Sequence, residues 1–104
     1  MDKKVITEIV SFDIDPSISD ETFKAIVQTV ETEFHMKQPG YIDSELVKGR
    51  DNAWTMIMHW ASLQEVKSAS KLLMKSDLTA RFRQAIIPSS VKMSYLEQIQ
   101  HWSL

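Results

Sequence analysis

The sequence predicts an α+β domain: a four-stranded antiparallel sheet with helices packed on one face. Three observations carry this. Strand-forming and helix-forming stretches follow one another in the order β-α-β-β-α-(α)-β. The second and third strand segments are joined by the short turn sequence Gly49-Arg50-Asp51-Asn52, so they pair as an antiparallel hairpin. The 104 residues suit one domain, residues 1–104, and leave no room for two. This element order is the ferredoxin-like split βαβ arrangement.

Each element has its own signal. Residues 4–14 are dominated by β-branched and aromatic residues until Asp15-Pro16 ends the run, which reads as a strand. Ser17 or Ser19 caps a helix whose first turn carries Asp20 and Glu21. Phe23, Ile26, Val27, Val30 and Phe34 form its buried stripe, with Lys24, Gln28, Glu31 and Lys37 away from it. Pro39-Gly40 stops this helix. Residues 41–48 and 53–60 are the hairpin strands. Ser62 and Glu65 have the spacing of a capping box and open a second helix, with Leu63, Val66, Ala69 or Ser70, and Leu73 inward. Ser76-Asp77 breaks it and starts a third helical segment, with Leu78, Phe82, Ala85 and Ile86 on one face and Pro88 closing it. Residues 90–99 form the last strand, and the tail 100–104 carries no assignment.

Side-chain alternation divides the sheet into two faces. Even positions (Ile6, Val10, Phe12, Ile14, Ile42, Leu46, Trp54, Met56, Met58, Trp60) are apolar, with Glu8 the intruder, and belong under the helices. Odd positions mix apolar residues such as Val5, Ile9, Val47, Ile57, Val91, Met93 and Ile99 with Tyr41 and polar residues. A solvated face is normally more polar. The expectation is a homodimer with the two sheets face to face, the alternative being a monomer with a half-apolar sheet surface. Closure would enclose Thr7, Asp43, Glu45, Thr55, His59, Tyr95 and Glu97. Among these, His59 stands out because imidazole as a class changes charge near neutral pH; it could serve as a base or be held in a structural hydrogen bond.

Composition excludes several classes of function. There is no cysteine, hence no disulfide framework, thiolate metal site or cysteine nucleophile. Fourteen acids against twelve bases give no basic footprint for nucleic acid. No apolar run approaches the roughly 18 residues of a membrane span, and Glu8 interrupts any signal-peptide core. The expected location is cytoplasmic. His35, His59 and His101 lack metal-ligand spacing, so no metal is expected. With only Gly40 and Gly49 there is no phosphate loop, and no G-x-S-x-G elbow is present. Lys71, Lys75, Arg81 and Arg83 read as a solvated surface, or as an anion contact at the third helix. The row Trp54, Met56, Met58, Trp60 reads as core, with Trp60 placed to reach a pocket at the strand end.

Pro39-Gly40 before the second strand, Trp60-Ala61-Ser62 ending the third, and the segment Ser76-Asp77-Leu78-Thr79-Ala80-Arg81-Phe82 resemble the antibiotic biosynthesis monooxygenase-like family of dimeric α+β barrels. The resemblance covers most of the chain by element order. It implies a homodimer with one pocket per protomer between sheet and helices. Members of the family it resembles include oxygenases that oxidise phenolic or polycyclic aromatic substrates without metal or flavin, and haem-degrading enzymes, while many have no known activity. Trp60 matches the family's strand-end tryptophan. Met56 stands where the oxidising members place an asparagine, and Thr7, Glu8 and Arg83 stand where haem-degrading members need asparagine and histidine.

The resulting expectation is a cofactor-independent oxygenase-like enzyme for a small aromatic or quinone-type metabolite. His59 is the candidate catalytic base, Tyr95 and Glu45 orient the substrate, Thr55 contacts it and Trp60 forms the wall. The alternative is a non-catalytic dimeric module that binds a small ligand or stabilises a partner protein. Neither reading involves nucleic acid or a membrane.

Overall fold

A computed structural model describes residues 4–51 and 53–104. The opening residues Met1, Asp2 and Lys3, and position Asn52 of the predicted turn, lie outside the described residues. The strands are β1 (Ile6–Phe12), β2 (Tyr41–Lys48), β3 (Trp54–Trp60) and β4 (Lys92–Glu97), and the helices are α1 (Asp20–Glu33), α2 (Leu63–Leu73) and α3 (Ala80–Ala85). The sheet runs β2-β3-β1-β4 with every pair antiparallel, which is the predicted architecture.

The central pair sets the core. Ile6, Glu8, Val10 and Phe12 of β1 stand opposite Trp60, Met58, Met56 and Trp54 of β3, and this face lies beneath the helices. Phe23 of α1 and Phe82 of α3 complete an aromatic cluster with Phe12 and Trp54, with centroid separations of 5.1–6.1 Å. Edge-on and offset rings of this kind fill space without polar groups to satisfy.

The helix ends follow their sequence signals. The Ser19 hydroxyl accepts from the Thr22 amide at 3.1 Å, and the Ser62 hydroxyl accepts from the Glu65 amide at 3.2 Å. Glu65 closes its box on the Ser62 hydroxyl itself, 2.9 Å away. Gly40 has φ +84°, and a Cβ there would stand 2.5 Å from the Glu65 carboxyl carbon. Glycine is thus required both by the left-handed backbone and by the approach of α2.

Five sequence expectations need correction. First, β2 carries a bulge: Tyr41 faces Trp60, Asp43 faces His59, and Ile42 is squeezed out to 48% exposure. The extra residue reverses the parity locally, so Tyr41 lies on the helix side and packs edge-on against Trp60. Second, β4 pairs Tyr95 with Glu8 and Met93 with Val10, so its odd positions face the helices. Its register is fixed by the turn at Pro88–Ser90, where the Ile87 and Ser90 groups hold Asp13, and a one-residue change reverses both faces. Third, Leu63 is exposed at the first turn of α2, where only Val66 and Ala69 are fully buried. Fourth, Leu78 is exposed and Thr79 buried, because Asp77–Thr79 is a 3₁₀ turn whose tighter winding rotates the side chains away from α-helical phase. Fifth, Glu31 is buried on the inward side of α1.

Candidate functional site

Between the sheet and helices α2 and α3 lies a cavity of about 260 Å³. Its floor is Val10, Met56, Met58 and Trp60, and its roof is Ala69, Leu73, Phe82 and Ile86. Met74, Val91 and Met93 border it and are also exposed, which marks the open side. Glu8, His35, Ser70 and Arg83 are its polar members. Methionine and aromatic walls with few polar groups suit a flat apolar ligand.

The polar groups are organised from their elements. Glu8 is carried inward by β1 and accepts from Trp60 Nε1 at 3.0 Å. Burial raises its pKa above the usual carboxylate value; the indole N–H and nearby His35 act in the opposite sense, and Glu31 adds to the rise. His35 begins the 3₁₀ turn after α1 and is buried against Phe34 and Trp60. Its Nδ1 meets Glu31 Oε2, four residues earlier on the same helical ridge. Ser44 of β2 donates to the other Glu31 oxygen at 2.5 Å. Having used its proton there, Ser44 accepts from the Tyr41 hydroxyl at 2.6 Å. Partial burial raises the Tyr41 pKa, the Ser44 contact lowers it, and the Glu31 and Asp43 carboxylates raise it. Arg83 is turned to the α2–α3 corner, donating to the Ser76 carbonyl at 2.8 Å and to Thr79 Oγ1 at 3.3 Å.

The residues expected from sequence to form one site are divided between the two faces. Trp60 lines the cavity. Tyr95 is on the same side of the sheet but outside this cavity, with its hydroxyl 3.3 Å from Ser70. It borders a shallower groove with Ser62, Lys67 and Glu97. Thr55, Glu45 and His59 lie on the open face. Thr55 contacts Ser11 at 3.0 Å, Glu45 is exposed, and His59 Nδ1 is 2.6 Å from Asp43. Tyr95 and Glu97 therefore cannot line a space enclosed by the open faces, and His59 lines neither the cavity nor the groove. Sequence reasoning passed over Glu8, Glu31 and His35 as site residues. Signals for them exist: an acid inside an apolar strand face, and Glu31 placed four residues after Val27 and four before His35.

Among the described residues no group of three or more His, Asp or Glu is placed to hold a metal ion. No helix among them is long and apolar enough to cross a membrane.

No protein-family model matches the chain. No curated protein matches it either. Solved structures do match, over nearly its whole length. An asparagine-to-alanine mutant of SnoaB, a cofactor-independent oxygenase from Streptomyces nogalater, superposes with TM-score 0.74 at 16% identity, covering 94% of this chain and 96% of that one. A candidate antibiotic biosynthesis monooxygenase from Chloroflexus aurantiacus J-10-fl gives 0.71 at 15% identity, covering 95% and 97%. Another from Caulobacter crescentus CB15 gives 0.70 at 14% identity, covering 94% and 92%. The fold is thus the α+β fold of the antibiotic biosynthesis monooxygenase-like proteins, as the sequence resemblance implied.

Proposed function

We propose that this protein is a cytoplasmic oxygenase-like enzyme whose cavity takes a small, flat aromatic molecule with an acidic hydroxyl. The observation that carries this is the apolar cavity ending at Trp60, Glu8 and His35. Its volume is larger than the roughly 150 Å³ of an engineered cavity that holds benzene, and suits two or three fused rings. The likeness in fold to a cofactor-independent oxygenase supports the same reading. The reaction that fits is conversion of a ring methylene, or of a ring C–H opposite a hydroxyl, to a carbonyl. The ionised substrate gives its electrons to O₂. One oxygen atom becomes the carbonyl and the other leaves as water with two hydrogens from the substrate. An oxygen electrode with anthrone and 1-naphthol tests this, with ¹⁸O₂ labelling of the product. Uptake above the uncatalysed rate and one labelled atom per product are expected. Binding without uptake would refute the oxygenase.

A second reading, a non-catalytic ligand-binding module, is favoured by one observation: Glu8 and Arg83 are already engaged with protein groups. It predicts thermal stabilisation by 1-naphthol with no oxygen uptake.

We also propose that the open sheet face pairs with a second copy of the chain. Ile9 and Ile57 on the central strands are only half-covered, and Val47 and Leu96 beside them are exposed. Sedimentation should give twice the 12.0 kDa chain mass. Ile57→Lys should give the monomer, and a wild-type monomer at micromolar concentration would refute the pairing.

A further inference from the structure

His35 forms part of the cavity wall, and its Nδ1 is held by Glu31. Its Nε2 has no side-chain or backbone partner among the described residues. No side-chain nitrogen or oxygen among them is sealed from solvent without a partner, so Nε2 is not sealed off, and the residue that carries it lines the cavity. Glu31 is itself fixed from the far side by Ser44 and, through Ser44, by Tyr41. A carboxylate that grips one imidazole nitrogen sets the tautomer in which the other nitrogen is free to accept a proton.

We infer that the Glu31–His35 pair is the base that ionises the hydroxyl of a phenolic ligand in this cavity, with Ser44 and Tyr41 positioning Glu31. This rests on the cavity being the substrate site. The hydroxyl O–H bond breaks, an N–H bond forms at Nε2, and the electron pair stays on the ligand as phenolate. The imidazolium keeps its Nδ1–H on Glu31. In the oxygenase reaction O₂ is the oxidant, and the proton on Nε2 leaves with the departing water. His35 would be a catalytic residue, and Glu31 a positioning residue that also stabilises the imidazolium.

The charged and titratable groups linked to His35 or sharing its cavity are Glu31 on α1, Glu8 on β1, Tyr41 on β2 through Ser44, and Arg83 on α3. The test therefore follows one chromophore rather than the overall pH profile. The probe is 4-nitrophenol, whose phenolate absorbs in the visible. In an apolar cavity without a base, burial moves its ionisation to higher pH. With the base, bound probe should ionise at lower pH than free probe. His35→Asn keeps a nitrogen toward Glu31 and removes Nε2. It should raise the bound midpoint by at least about one pH unit, tenfold in the ionisation constant, read on the bound probe at saturation. Glu31→Gln should raise the midpoint by less. Should His35→Asn fail to fold, Glu31→Gln and Ser44→Ala provide the same readout.

A wild-type midpoint at or above that of free probe overturns the inference, as does a midpoint unmoved in the variants. Oxygen uptake, measured separately, keeps the two proposals apart. A His35-dependent midpoint without uptake would leave the base and remove the oxygenase. Uptake that survives His35→Asn would do the reverse.

Discussion

The Trp60–Glu8 contact should reveal itself as an energetic coupling that depends on pH. Both residues are buried, at 1% and 3% exposure, and the indole N–H is 3.0 Å from the carboxylate. Trp60→Phe removes the donor and part of the ring. A hydrogen bond to a charged group contributes about 1.5–3 kcal/mol, and the smaller ring adds about 1 kcal/mol of lost packing. The total is about 3 kcal/mol at pH 8. In a Glu8→Met background no carboxylate is left stranded, and the same change should cost only about 1 kcal/mol, which makes the coupling about 2 kcal/mol. Burial raises the Glu8 pKa above the usual carboxylate value, so at pH 4 the folded protein carries this carboxyl mainly in its neutral form. The bond is then an ordinary neutral one, and the coupling should fall below about 1 kcal/mol. Urea unfolding of the four proteins, at one protein concentration and at both pH values, measures it. A coupling under about 0.5 kcal/mol at pH 8, or one equal at the two pH values, would refute the reasoning.

Other predictions concern separate features. Glu8→Gln should gain stability relative to wild type as pH rises. The folded carboxyl binds its proton more tightly than the unfolded one, so wild-type stability is lost between the unfolded pKa and the raised folded pKa. Melting temperatures from pH 4 to 8 check the sign, and a constant difference would count against it. Gly40→Ala should cost about 2 kcal/mol, divided between left-handed backbone strain and displacement of the Glu65 cap, and lower Tm by roughly 8–16 °C. A loss under about 0.5 kcal/mol would show that α2 can shift freely. Ala69→Leu should fill the cavity, weakening 1-naphthol binding at least about tenfold by calorimetry without lowering Tm. Unchanged binding would place the ligand elsewhere.

The sequence was most legible where local chemistry decides structure. Strand 41–48, the Ser19 and Ser62 caps and the buried side of α1 from Phe23 to Val30 are all written in nearest neighbours or helical spacing. It was least legible where one strand must choose its alignment against another. Nothing near Ile42 announces a bulge, yet that one residue moves Tyr41 to the helix side. The β4 register is set by contacts at Asp13, about eighty positions away in the chain, so counting parity along β4 alone could not find it. The candidate site suffered most because its polar residues interrupt apolar patterns. Glu31 reads as solvent-facing until β2 brings Ser44 against it, and His35 gains a role only once Trp60 and the cavity are beside it.

The aromatic cluster of Phe12, Phe23, Trp54 and Phe82 occupies one end of the sheet, while Glu8, His35 and Trp60 mark the other. Stability is therefore distributed unevenly along the strands. Amides near Phe12 and Trp54 should exchange hydrogen only when the whole domain unfolds, whereas those of α2 above the void need far less to open. Phe82 belongs to both the cluster and the cavity wall, and so forms the boundary between the two regimes. A guest could then enter by a breathing motion of α2 that leaves the anchored end intact.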